Sequence, residues 1–74
     1  MVRIDLRNSI TSLAILQIGS IMQKLSPGED IEVICEDESF MEELHRVHQN
    51  YVYDRVNHMN DYFGSGIVFL LRKQ

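Results

Sequence analysis

The chain has 74 residues, 45% of them hydrophobic and 24% charged, which suits one small domain with a modest core and argues against disorder. Eleven acidic residues against seven basic leave a net charge of −4, and no Lys/Arg cluster is present to hold a phosphate backbone or an anionic membrane surface. A single cysteine, Cys35, excludes an intramolecular disulfide framework, and the longest apolar stretch, residues 13–22, is broken by Gln17, Gly19 and Ser20 and is too short to span a bilayer.

Val2-Arg3-Ile4-Asp5-Leu6 alternates apolar and polar side chains, the period of a half-buried strand, so it reads as structure and not as a signal peptide. Asn8, Ser9 and Thr11 offer short oxygen-bearing side chains suited to capping a helix. A helix is predicted over 12–25, with Gln17, Ser20 and Lys24 as its wet stripe. Leu13, Ile15, Leu16, Ile18, Ile21, Met22 and Leu25 are expected to be largely buried, with Leu16 and Ile21 in the core. Ser26-Pro27-Gly28-Glu29 stops the helix: proline presets φ at the second turn position and glycine permits positive φ at the third, as a type II turn requires.

A second strand is predicted over 31–36, with Ile31, Val33 and Cys35 on one face. Ser39-Phe40-Met41-Glu42 has the spacing of a capping box and opens a helix over 40–49 that should bury Phe40, Leu44 and Val47. A third strand follows over 51–59. Gly64-Ser65-Gly66 then turns the chain into Ile67-Val68-Phe69-Leu70-Leu71, whose unbroken apolarity is that of a central strand covered on both faces. The result is one α+β domain over 1–74: a two-layer α/β sandwich in βαβαββ order, two helices on one face of a four-stranded mixed sheet.

Ile4-Asp5-Leu6-Arg7-Asn8, then Pro27-Gly28-Glu29, then Ile31-Glu32-Val33-Ile34-Cys35-Glu36-Asp37, with Leu70-Leu71-Arg72-Lys73 at the end, resembles the TusA/SirA-like sulfur-carrier (sulfurtransferase) family over nearly the whole chain. In that family a Cys-Pro-x-Pro motif starts the first helix. The ungapped register from Asp5 to Glu29 puts Thr11 at the cysteine, with Ser12 and Ala14 at the two prolines. His45 falls near a proline often seen early in the family's second helix. The resemblance implies the fold. It does not carry the sulfur chemistry across, because a threonine hydroxyl cannot accept sulfane sulfur as a thiolate at a helix N-terminus can.

Four groups of side chains are candidates for a site. Ser9, Thr11 and Ser12 at the helix start suit either plain capping, a small anion on free amides, or a docking surface kept without its reaction. Cys35 is either a relocated sulfur carrier or a core cysteine, and its apolar strand face with Glu36 and Asp37 beyond favours the core. Glu42, His45 and His48 recur every three residues on the second helix, either as metal ligands or as a solvated face; His58 is the only further histidine, and no metal or other cofactor is expected. Tyr51, Tyr53, Tyr62 and Phe63 are read as strand and core aromatics more readily than as a binding surface.

Three functions are open on these residues: a non-catalytic protein-interaction or regulatory module with sulfur-relay-type partners, a sulfur carrier acting through Cys35, and a nucleic-acid or small-anion binder. The net charge opposes the last of these. A protein partner, no nucleic acid, no membrane insertion and a cytoplasmic location are the expectations.

Overall fold

The computed structural model describes residues 2–62 and 64–74. Its elements are β1 (Val2–Asp5), α1 (Thr11–Lys24), β2 (Asp30–Cys35), α2 (Ser39–Val47), β3 (Tyr51–Asp61) and β4 (Gly64–Lys73), the expected βαβαββ order. The sheet runs β1-β2-β4-β3. β1 lies parallel to β2, and β4 is antiparallel to both β2 and β3. The apolar run 67–71 is therefore central, as its composition requires.

Strand alternation divides the sheet into two faces. Ile31, Val33 and Cys35 of β2 and Ile67, Phe69 and Leu71 of β4 meet Ala14, Ile15, Ile18 and Met22 of α1 and Met41 and Leu44 of α2 in one core. Both helices thus cover the same face. The turn after α1 is also as expected: Gly28 has φ +91, and the Glu29 amide donates to the Ser26 carbonyl at 3.0 Å. The Gly28 amide goes on to donate to the Lys73 carbonyl, and the Lys73 amide to the Glu29 carbonyl, which fastens this turn to the end of β4.

The opposite face holds a feature the sequence did not announce. Ile34 and Val68, cross-strand partners, are each 2% exposed there although both described helices pack on the other face. Beside them lies Arg7, whose side chain is only 3% exposed. Its guanidinium grips both oxygens of Asp5, reaching Oδ2 at 2.6 Å. It also donates to Asp61 Oδ1 at 2.9 Å and to the Gly64 carbonyl at 2.8 Å. One planar fork thereby ties the end of β1 to the tip of the β3–β4 hairpin. Gly66 makes room for it: a β-carbon there would press on Arg7 Cδ and Ile34 Cγ2.

Three local expectations need correction. Leu16 is 67% exposed and Leu13 60% exposed, while Ile21 only flanks the core. At about 100° per residue, Ala14, Ile15, Ile18, Gly19 and Met22 form the buried stripe. Leu13 and Leu16 then fall on the side of Gln17, Ser20 and Lys24. In α2, Met41 is buried and Val47, in the last turn, is 60% exposed. Neither helix has a side-chain cap of the expected kind. Ile10 is the N-cap of α1, and it makes no side-chain capping hydrogen bond. At α2, Asp37 accepts hydrogen bonds from both the amide and the hydroxyl of Ser39, in place of the Ser39–Glu42 box.

Candidate functional site

β1 and β2 are parallel, so their C-terminal ends lie side by side, and the chain leaves each one to start a helix. Such strand ends are where open α/β sheets place their ligand crevices. Here they frame a cleft of about 440 Å³, lined by Leu6, Ser9, Thr11, Ala14, Cys35, Glu36, Asp37, Ser39, Phe40 and Glu43. Asn8 precedes the lining residue Ser9 in the chain. Asparagine tolerates the left-handed backbone better than most residues, and Asn8 adopts it at φ 68 while its amide donates to Glu36 Oε1 at 2.9 Å. That single bond ties the approach to α1 to the exit from β2.

Thr11 is the first residue of α1 and sits on the cleft wall with Ser9. Ser12, one step round the helix, is exposed and does not line it. The three hydroxyls are thus not gathered on one target, and none of them caps the helix. The anion reading is opposed by the opposite wall, where Glu36, Asp37 and Glu43 stand. Ser39 donates to the Asp37 carboxyl and holds it below its ordinary range, so Asp37 keeps its charge.

Cys35 lines the same cleft as Thr11 yet is only 2% exposed. Its Sγ donates to the Asp37 carbonyl at 3.3 Å. Burial first, then the charge of Asp37, pushes the thiol up to about 11, with Glu36 and Glu38 adding to the rise and Arg55 opposing it. A thiol in this state is a poor nucleophile near neutral pH.

The residues spaced along α2 separate. α2 ends at Val47, and His48 is already extended at φ −126, so the spacing of three no longer describes one helical face. His45 turns toward the strands and meets Tyr51 edge-on at 5.5 Å between ring centroids. His48 instead reaches α1, with its Nε2 against Gly19. Among the described residues no three His, Cys, Asp or Glu side chains come together as a metal would need. Tyr51 and Tyr53 pack as strand aromatics, Tyr53 against Phe69 at 5.8 Å. Tyr62 is 95% exposed, and Phe63 lies outside the described residues. No helix among the described residues is long and apolar enough to cross a membrane.

Sequence reasoning missed the Arg7 clamp and the pairing of His48 with Gly19. A buried arginine and an interior helical glycine carry little signal alone, since the Asp61 that Arg7 reaches is 54 residues away and His48 lies 29 residues from Gly19.

A solved structure of a SirA-like protein from Desulfitobacterium hafniense superimposes on this chain with a TM-score of 0.67, covering all of both chains at 13% identity. The chain therefore has the SirA/TusA-like fold that the sequence resemblance implied. No family model matches the sequence, and no curated protein matches it.

Proposed function

We propose that this chain is a TusA-like domain that serves as a protein-interaction or regulatory module for sulfur-relay-type partners and carries no sulfur itself. The observation behind this reading is Thr11, an alcohol at the open end of α1 on the cleft wall. Sulfur relay moves a sulfane sulfur from a donor persulfide to an acceptor thiolate, with the donor leaving as a thiolate. An alcohol cannot take part. What remains is a shaped surface. Ile10, Leu13 and Leu16 are 66%, 60% and 67% exposed along the start of α1, next to a cleft edged by Glu36, Asp37 and Glu43. A partner with an apolar contact and a basic rim would complement it.

Cys35 gives the second reading its support, because it lines the same cleft as Thr11 and a local opening would expose its sulfur. The two readings part in one experiment: incubation with a persulfide-charged cysteine desulfurase, followed by intact-mass spectrometry. We expect no gain of sulfur in the parent chain and a gain in Thr11→Cys. A gain in the parent that disappears in Cys35→Ser would replace the interaction module with a carrier acting through Cys35.

A further inference from the structure

Building on the interaction-module reading, we infer that the cleft at the ends of β1 and β2 seats a lysine or arginine side chain carried on a basic, partly apolar segment of a partner protein. Five of the chain's eleven acidic residues, Glu36, Asp37, Glu38, Glu42 and Glu43, fall within residues 36–43, and no Lys or Arg stands between Lys24 and Arg46. Glu36, Asp37 and Glu43 line the cleft. Each already has a neighbour: Glu36 accepts the Asn8 amide, Asp37 accepts from Ser39, and Glu43 pairs with Arg46 at 3.1 Å on the exposed side of α2. A carboxylate offers about four lone-pair positions, so these contacts leave acceptor capacity for a newcomer.

The rest of the lining suits both ends of such a side chain. Leu6, Ala14 and Phe40 give the cleft an apolar side along which methylene groups can lie. The hydroxyls of Ser9 and Thr11 add neutral acceptors to the carboxylates, and a lysine or arginine head brings only donors. Ile10, between those two residues in the chain, is exposed and offers the segment an apolar contact. A bare metal ion fits less well, because among the described residues no three His, Cys, Asp or Glu side chains come together to hold it. A second copy of the chain fits less well too, since it brings the same −4. Its one adjacent basic pair is already engaged, Arg72 with Asp30 and Lys73 with the Gln23 carbonyl.

The test is a titration of the intact chain with an end-capped Leu-Arg-Leu-Arg-Leu peptide, read by amide NMR shifts at about 0.15 M ionic strength, where distant charges are screened. A Leu-Glu-Leu-Glu-Leu peptide, spermidine and magnesium chloride form the other arms. Saturable shifts centred on Asn8, Thr11, Glu36, Asp37 and Phe40 are expected with the arginine peptide, at lower concentration than in any other arm. Glu36→Gln combined with Glu43→Gln removes two charges but keeps an acceptor for the Asn8 amide. This pair should weaken the peptide about fivefold or more, as loss of two partly exposed ion pairs does. Glu29→Gln combined with Asp54→Asn removes the same charge just before β2 and on β3, and should leave the affinity within about twofold. Shifts that fail to saturate, or an acidic peptide that binds as well, would overturn the inference. So would spermidine or magnesium saturating these residues first, or equal losses in the two double variants. None of these outcomes alters the sulfur-transfer result, which decides the interaction-module reading separately.

Discussion

The imidazole of His48 occupies the space that a β-carbon on Gly19 would need, with Nε2 the atom nearest that position. The residue that ends α2 is thereby locked to the middle of α1. In a helix interior, alanine is ordinarily worth about 0.5–1 kcal/mol over glycine. Here the methyl group must first drive the ring out. Gly19→Ala should therefore gain nothing in the parent and about 0.5–1 kcal/mol in a His48→Ala background. Urea midpoints of the four chains close the cycle, and equal effects in both backgrounds would show that the two residues are not coupled.

The Arg7 fork predicts how the fold responds to acid. Its hydrogen bonds hold the Asp5 carboxyl below the usual 3.8, against a smaller opposing effect of burial. The folded state then binds this proton less readily than the unfolded state. The contribution is full above about pH 4 and is lost as pH falls through the depressed value. Asp5→Asn should be less stable than the parent near neutral pH and lose less on acidification below about pH 4. Unfolding midpoints followed from neutral pH to about pH 2 check this; parallel curves for the two proteins would contradict it.

The two faces of α1 differ in their tolerance of truncation. Ile18 is fully buried, and Ile18→Ala should cost on the order of 2–5 kcal/mol. Leu16 is 67% exposed, and Leu16→Ala should stay within about 0.5 kcal/mol of the parent. Chemical denaturation of both variants settles the face of the helix, and a larger loss at Leu16 would reverse it.

Alkylation of Cys35 should be slow at neutral pH and accelerate toward about pH 11, where its thiolate forms. A thiol introduced by Thr11→Cys, at the free amides of a helix start, should react at much lower pH. Iodoacetamide rates measured across pH in the native protein, with Cys35→Ser isolating the new thiol, separate the two. A native Cys35 that reacts at full rate near pH 7 would place its sulfur outside the core.

The order of elements was legible because each carries its own local signal. Alternation marks β1, the Pro27-Gly28 turn closes α1, and the run 67–71 reads as a central strand. The face of α1 was not legible, because apolar residues surround it and spacing alone cannot choose among overlapping stripes. Ala14 and Gly19, which settle the matter, are small and contribute little to any pattern. Val47 was misread for a different reason: it is the last residue of α2, and the next residue, His48, is the one that packs on α1. At the candidate site, Thr11 and Cys35 were both singled out from sequence, but their shared cleft depends on β1 and β2 being adjacent. The Arg7 clamp depends on β3 and β4 register, which no local window contains.

The position of β4 also constrains how the fold can be made. The strand that joins β2 to β3 is the last of the four in the chain, and residues 64–73 fill the middle of the sheet. While a ribosome is still adding those residues, β1 and β2 can pair only with each other. The inner edge of β2, with Ile31, Val33 and Ile34 along it, then has no neighbour. The native sheet can close only after residue 73 has cleared the exit tunnel, so this domain completes its folding after that segment is synthesised and not progressively during it. Until then its stickiest edge is open to whatever chaperone or like chain reaches it first.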